Sequence, residues 1–197
     1  MKEIIIATHN NDKKSEMMYA LRNLKVKILS LDNFPEIGEI EESGSTLLEN
    51  SLIKSREVQR ITGIPAIADD TGLEVEFLNG APGVYSARYA GNNVSYQDNV
   101  RKLLFDLKGV EQKFRNAKFR TYISFCSSEN EFWVDGSIEG EITEKPLGEN
   151  GFGYDSVFLV KETGLTFGQM DKKDKDKISH RGLALKKMIS LLEQKID

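Results

Sequence analysis

Ile64-Pro65-Ala66-Ile67-Ala68-Asp69-Asp70-Thr71-Gly72-Leu73-Glu74-Val75-Glu76-Phe77 decides how the rest of the chain is read. Ile64 to Ala68 is a short apolar run of the kind that fills a buried strand, and Leu73, Val75 and Phe77 alternate with polar residues as a second strand does. Between them stand two neighbouring carboxylates and a glycine. Side chains of a regular strand alternate faces, so Asp69 and Asp70 can both point outward only if the backbone turns there, which Gly72 allows. The stretch predicts strand, turn, strand, with an acid pair at the mouth of a strand. In such a place one acid can hold Mg²⁺ while the other orients a water or a metal ligand. A solvated β-turn is the alternative reading of the same residues.

Working outward, Ile4 to Ala7 reads as a buried strand, and Met17, Met18, Leu21 and Leu24 as the stripe of a first helix. Val26, Ile28 and Leu31 predict a return strand, and Phe34 to Gly44, carrying Glu36, Glu39, Glu41 and Glu42, an exposed acidic loop. Thr46-x-x-Glu49 has the form of a capping box and opens a second helix through Leu48, Leu52 and Ser55 toward Ile61. Asn79-Gly80 and Pro82-Gly83 mark turns, and Ser95-x-x-Asp98 opens a third helix with Val100, Leu103, Leu104 and Leu107 on one face. Ala117 to Phe125 and Glu131 to Ile138 alternate as an antiparallel hairpin, and Val157 to Val160 is a further strand. Asp171 to Lys177 reads as a lysine-rich loop, and Leu185, Met188, Ile189, Leu192 and Ile196 stripe a last helix starting near Ser179. Helices and strands mixed around a hairpin predict an α/β or mixed α+β domain whose sheet is mixed rather than purely parallel.

At 197 residues, 39% hydrophobic and 29% charged, the chain has material for one sizeable core. It shows no repeat and no long linker, so residues 1–197 are expected to form a single domain. A net charge of −4 and a pI near 5.4 argue against a nucleic-acid backbone as the main partner, because that binding rests on a basic surface. The lone Cys126 lies in an alternating run and reads as a buried, inert thiol. The N-terminal apolar run is too brief for a signal-peptide core and no segment approaches membrane-spanning length, which predicts a cytoplasmic protein without a membrane partner.

Four further segments can carry chemistry. Thr8-His9-Asn10-Asn11-Asp12-Lys13 joins the first strand to the first helix, where backbone N–H groups and the helix dipole favour an anion. Lys13 adds a positive charge, and Thr8 and Asn10 can donate to phosphate oxygens or cap the helix instead. The glycines of a P-loop or dinucleotide fingerprint are absent. On the second helix Asn50 and Lys54 are four residues apart, and so can offer an amide and an ammonium from one face, whereas Glu49 reads as a cap. Gly151-Phe152-Gly153-Tyr154-Asp155 sets an aromatic ring between two glycines, where it can stack on a nucleobase, although at least one of Phe152 and Tyr154 is expected in the core. Ser179-His180-Arg181 opens the last helix and presents donors. Two histidines are too few for a histidine-rich zinc site, and no serine sits on a nucleophile elbow.

In this order, Thr8-x-Asn10-x-x-Lys13, Glu42-x-Gly44-x-Thr46-x-x-Glu49-Asn50-x-x-x-Lys54, Ala68-Asp69-Asp70-x-Gly72-Leu73, Gly80-x-Pro82-Gly83-x-x-Ser86-Ala87-Arg88, Gly151-Phe152-Gly153-Tyr154-Asp155 and Ile178-Ser179-His180-Arg181 resemble the inosine triphosphate pyrophosphatase family over nearly the whole chain. Each fragment is weak alone; the ordered set is specific. The chain differs from the family pattern at His9, where glycine is usual, Thr71 (serine), Ser51 (alanine) and Ser156 (often proline).

The resemblance implies an elongated mixed β-sheet flanked by helices in two lobes with a central cleft, a homodimer, and Mg²⁺-dependent hydrolysis of ITP, dITP and XTP to the nucleoside monophosphate and pyrophosphate. It implies that Asp70 is a metal-binding acid and the general base, with Asp69 in support. Glu42 is implied as the second metal ligand, with Glu36 and Glu41 as neighbouring candidates. The purine nucleoside triphosphate would be met by Thr8 to Lys13, Asn50, Lys54 and Thr71, with Lys13, Lys54 and the first-loop amides holding the departing pyrophosphate. Phe152 would stack on the base, with Gly153, Tyr154, Asp155, Lys175, His180 and Arg181 near the purine or phosphates. A pyrophosphatase for other modified nucleotides and a non-catalytic nucleotide-binding regulator are the alternatives. All of it requires the acid pair to lie across a groove from the segment Thr8 to Lys13, near enough for one cation-bridged polyphosphate to touch both.

Overall fold

A computed structural model describes residues 2–195 of the chain. Ile196, assigned above to the last helical stripe, lies outside the described residues. Strand β1 (Glu3–Ile6), helix α1 (Asn11–Leu21) and strand β2 (Lys27–Ser30) form a β-α-β crossover, with β1 and β2 parallel and Glu3 opposite Lys27. Helix α2 (Leu47–Thr62) follows the predicted capping box: the Thr46 hydroxyl accepts from the Glu49 N–H, and Gly63 ends the helix in the left-handed conformation. Strand β3 (Ala66–Val75) then pairs parallel to the other edge of β1, and the short β4 (Pro82–Gly83) pairs antiparallel to its far end.

Helix α3 (Tyr96–Asp106), capped by Ser95 as predicted, leads to β5 (Asn116–Cys126) and β6 (Glu131–Ile142). These two neighbour each other in the sheet and are joined by a turn closed by a Ser127 N–H bond to the Asn130 carbonyl, 2.8 Å. Strands β7 (Phe158–Val160) and β8 (Leu165–Thr166), then helices α4 (Lys172–Ile178) and α5 (His180–Lys195), complete the order. The sheet runs β2-β1-β3-β5-β6-β7-β8, parallel at the β2-β1-β3 end and antiparallel at β6-β7-β8, which is the mixed architecture expected. Among the described residues no helix is long and apolar enough to cross a membrane.

Three expectations are corrected. The stretch from Ala66 to Val75 is one strand, not two flanking a turn: Gly72 lies inside β3 and is not among the glycines with positive φ. Backbone pairing along both halves of the strand outweighs the turn preference of an Asp-Asp-Thr-Gly sequence. The lysine-rich segment is helix α4, because the Asp171 side chain caps it by accepting from the Asp174 N–H, and Lys175 and Lys177 lie in its last turn, where cations suit the dipole. Phe77, read with Leu73 and Val75 as part of an alternating strand, lies instead in an exposed 3₁₀ turn at Glu76–Leu78.

The chain divides into two compact units. The first takes the residues up to Asp70, Thr121–Gly136 and those from Arg181 onward. In it the sheet is sandwiched. Ile5, Ala7, Ala66 and Ala68 pack on one face against Val58 of α2, while Ile4, Ile6, Ile67 and Ile123 pack on the other against Met17 and Leu21 of α1 and Leu185, Met188 and Leu192 of α5. The second unit, Thr71–Arg120 with Ser137–His180, has its own core of Leu73, Val75, Leu103, Leu107, Phe119, Phe158, Val160 and Phe167. Buried Arg115 staples it, donating to the carbonyls of Leu107, Ile142 and Thr143 at 2.8–3.0 Å.

Candidate active site

Because β3 is a regular strand, its two adjacent acids go to opposite helical layers. Asp69 follows Ile67 toward α1 and α5. Its Oδ2 lies 3.3 Å from Nζ of Lys13, at the start of α1, and accepts from Nε of Arg181, at the start of α5, at 3.0 Å. Arg181 in turn donates through Nη1 to Glu16, one turn further along α1. Asp70 follows Ala66 and Ala68 toward α2. There Nδ2 of Asn50 donates to Oδ2 at 3.3 Å, and Nζ of Lys54 lies 3.4 Å from Oδ1 and 2.6 Å from Oε1 of Glu42. The Asn50 carbonyl oxygen accepts from the Gly44 N–H at 2.8 Å, so one amide ties the end of the acidic loop to Asp70. A Cβ on Gly44 would stand 2.6 Å from that oxygen, which explains the glycine.

The first loop reaches Asp69 of the acid pair through Lys13. The same loop caps α1: the Asn10 side-chain oxygen accepts from the N–H groups of Asp12 and Lys13, both at 3.0 Å, while the Thr8 hydroxyl accepts from the Asn10 N–H at 3.2 Å. His9, where the family pattern has glycine, faces the other way, with Nε2 3.0 Å from the Gly38 carbonyl. Asn11 and Asp12 are exposed. Of the three glutamates considered, Glu42 is the one that meets Lys54 beside Asp70.

The two acids differ in proton affinity. Burial alone would raise the Asp69 carboxyl, but Lys13, Arg181 and Lys54 outweigh it and hold the group well below the usual carboxylate range. Asp70 shifts the other way. Burial pushes it up, Glu42 and Asp69 add to the rise, and Lys54 and Lys13 only partly offset them. Burial also lowers Lys13, whereas for Lys54 the attraction of Asp70, Glu42 and Asp69 overcomes burial and raises it. A buried carboxylate with an elevated proton affinity, 6% exposed, has the character of a base.

A second set lies in the second unit. Asp155 is held by the Phe152 N–H at 2.8 Å and by Nζ of Lys175 at 2.6 Å, and the ammonium stands 4.8 Å from the centre of the Phe152 ring. Gly151 is left-handed, and a Cβ there would strike the Asp155 carboxylate at 2.0 Å, so the turn admits only glycine. Tyr154 is the ring that enters the core, its hydroxyl donating to the Ser86 carbonyl at 2.9 Å, while Phe152 is half-buried against Tyr96. His180 is buried and stacked on Phe119 at 4.5 Å. Thr71, next along β3, is partly buried.

Arg181, placed above near the purine or phosphates, is 2% exposed and spends two of its donors on Asp69 and Glu16. The reading of the sequence missed Glu16, which a single-strand reading of β3 would have brought into view, since that reading sends Asp69 toward α1. It also missed Thr121, whose hydroxyl donates to the Asp70 carbonyl at 2.9 Å, for which the sequence carries no signal.

Among the described residues no group of three or more His, Cys, Asp or Glu side chains forms a ready metal cage. Glu42 and Asp70, flanking one ammonium, match the sparser donor set of Mg²⁺ sites, in which one or two carboxylates are completed by phosphate oxygens and water.

The model of the Ham1 family matches residues 4–191. A dITP/XTP pyrophosphatase of Bacillus licheniformis is 48% identical, with 98% of this chain and 100% of that protein aligned, and one of Bacillus subtilis is 46% identical over 98% of each. Among solved structures, the HAM1 protein of Coxiella burnetii superposes with a TM-score of 0.90 at 40% identity, and the Ham1 protein of Staphylococcus aureus with 0.89 at 37%; each covers 98% of this chain and 100% of its own. With the motifs in order, the fold shared and the family model matched almost end to end, the chain belongs to the Ham1 family.

Proposed function

We propose that this chain is a dITP/XTP pyrophosphatase, hydrolysing non-standard purine nucleoside triphosphates, among them ITP, to the monophosphate and pyrophosphate. The observation that carries the reading is the pair Asp69 and Asp70 on β3, one locked to Lys13 and Arg181 and the other, with raised proton affinity, facing Asn50, Lys54 and Glu42. Glu42 and Asp70 are the residues that would hold Mg²⁺, which would supply charge neutralisation at the phosphate oxygens and ease ionisation of the attacking water.

Asp70 orients that water and takes its proton as the water oxygen bonds to the α-phosphorus. The bridging bond from the α-phosphorus to the β-phosphoryl oxygen breaks, and pyrophosphate leaves with the electron pair. Lys13, Lys54 and the N–H groups at the start of α1 hold the charge that accumulates on pyrophosphate. Asp69, kept ionised, fixes where Lys13 points. On the base side Phe152 stacks on the purine, and the Lys175 ammonium, held beside that ring by Asp155, donates to a 6-keto oxygen. Adenine presents a 6-amino group instead, leaving buried donors unpaired, which is costly enough to discriminate. Residues 1–197 serve as one domain, working as a homodimer on the cytoplasmic nucleotide pool.

Purified protein with Mg²⁺ is expected to release pyrophosphate and monophosphate from dITP and XTP, and far less from dATP. Release of orthophosphate alone overturns attack at the α-phosphorus, and binding of dITP without turnover overturns the enzymatic reading.

A further inference from the structure

The Lys54 ammonium touches both of the carboxylates that the proposed metal requires: it is 2.6 Å from Glu42 and 3.4 Å from Asp70. The contact is well shielded, with the lysine side chain only 10% exposed and that of Asp70 8%. A hard divalent cation bonded to the same two groups would bring its double charge against an ammonium that hydrogen-bonds them from within the same space. Both cannot stay. Resting on the reading of Glu42 and Asp70 as metal ligands, we infer that Lys54 is a resident competitor for the metal position, an internal cation that must give up Glu42 and Asp70 before a divalent ion can take them.

The stem of Lys54 is anchored on the second turn of α2, and four methylenes allow its head to swing while the helix stays in place. When a polyphosphate arrives, its oxygens offer the ammonium a replacement for the carboxylates it loses. Metal and nucleotide then favour one another's binding, because the same lysine charge that repels the first is neutralised by the second. The protein without nucleotide should hold divalent ions poorly, and the carboxylate pair should open only to a cation that comes with phosphate. The arrangement also keeps buried Asp70 and partly exposed Glu42 from facing each other without a cation between them, which is costly when no metal is bound.

The test reads metal affinity, not turnover. Mn²⁺ binding to nucleotide-free protein is measured by titration calorimetry at neutral pH for the unaltered chain and for Lys54→Met, Lys54→Gln and Lys54→Arg, each checked for a cooperative thermal melt. Both neutral variants are expected to bind Mn²⁺ about tenfold or more tightly than the unaltered protein, and Lys54→Arg within about threefold of it, which is the scale of coupling expected between competing sites. If Lys54→Met does not melt cooperatively, Lys54→Gln carries the comparison.

A role confined to structure gives the opposite result, because losing the bridge from Glu42 to Asp70 would loosen the carboxylates and weaken metal binding. Unchanged or weaker Mn²⁺ binding in the neutral variants overturns the proposal, as does equal tightening in Lys54→Arg. Turnover of dITP by the unaltered protein reports separately on the activity. A protein that hydrolyses dITP without the tightening loses only this inference, and one that shows the tightening without hydrolysis loses only the activity.

Discussion

The two faces of β3 at Asp69 and Asp70 carry the same residue type one position apart, yet they are built to opposite ends. On the α1 and α5 side, Asp69 is fully buried between two cations and held ionised. On the α2 side, Asp70 shares Lys54 with Glu42, borrows an amide from Asn50, and has a raised proton affinity. One carboxylate is held by two cations and fixed in its charge; the other has its proton affinity raised by burial and by neighbouring acids. Strand alternation thus sends two neighbouring carboxylates into different surroundings, with the sheet keeping them apart.

The sharpest way to break this contrast is to remove each charge in turn. Asp70→Asn keeps the shape but loses the base and a metal ligand, so pyrophosphate release from dITP is expected to fall by about 10²–10⁴-fold, the range for a missing general base. Its thermal midpoint should not fall, because the charge removed is one that burial opposes. Near-parental activity would take Asp70 out of the mechanism. Asp69→Asn should do the reverse in stability: it takes from buried Arg181 and from Lys13 the carboxylate they share, and is expected to cost about 3–5 kcal/mol in urea denaturation, as breaking one side of a buried pair does. A loss below about 1 kcal/mol, the value of an exposed pair, would mean that Asp69 is not the anchor.

Acid titration sharpens the same comparison. Asp69 is depressed in the folded chain, so its stabilising contribution is complete above the unfolded value of about 4 and is lost as pH falls through the folded value. Asp70 is raised, so the contribution of its neutral form is complete below about 4 and is lost as pH rises through the folded value. Going from neutral toward acid, the deficit of Asp69→Asn relative to the parent should shrink. The stability of Asp70→Asn relative to the parent should decline earlier in the descent, from the raised folded value of Asp70 down to about pH 4, as the parent protonates and recovers, whereas the Asp69→Asn change comes below about pH 4. Urea unfolding across that range reads both, and difference curves that slope the same way would contradict the assignment of opposite roles.

How far this was legible in the sequence depends on the kind of signal. Capping at Thr46 and Ser95 is local and chemical, and the side-chain bonds formed are those the sequence spelled out. The apolar runs gave the strands and the mixed sheet. The strand through Asp69 to Gly72 was not legible, because its polar residues mimic a turn and only pairing with β1 and β4 overrides that local preference. Helix α4 was hidden for a similar reason, since alternating Asp and Lys carry no apolar period to read. At the site, the motif order brought Lys13, Asn50, Lys54, Asp69 and Asp70 to attention. Which acid faces which cation was out of reach until the strand was known to be continuous. Glu16 and Thr121 belong to no motif and enter only through tertiary contact.

The smallest effect concerns what holds α2 against β3 so that Asn50 and Lys54 reach Asp70. The hydroxyls of Ser51 and Ser55 lie 2.7 and 2.8 Å from that of Ser124 on β5, and the Ser51 hydroxyl also donates to the Ala68 carbonyl at 3.2 Å. All three serines are buried, so the web replaces water for these groups. In Ser51→Ala the Ser124 hydroxyl still has the Ser51 carbonyl at 2.8 Å and the Ser55 hydroxyl, and no donor or acceptor side chain is orphaned. The expected loss is therefore that of one net hydrogen bond, about 1 kcal/mol in urea unfolding. Turnover of dITP should stay within about twofold, because the helix keeps its apolar contact through Val58 and its lysine keeps its reach. A large fall in turnover with stability intact would show that the Asp70 side is tuned by the placement of α2 to a degree that the Asp69 side, fixed by direct ion pairs, is not.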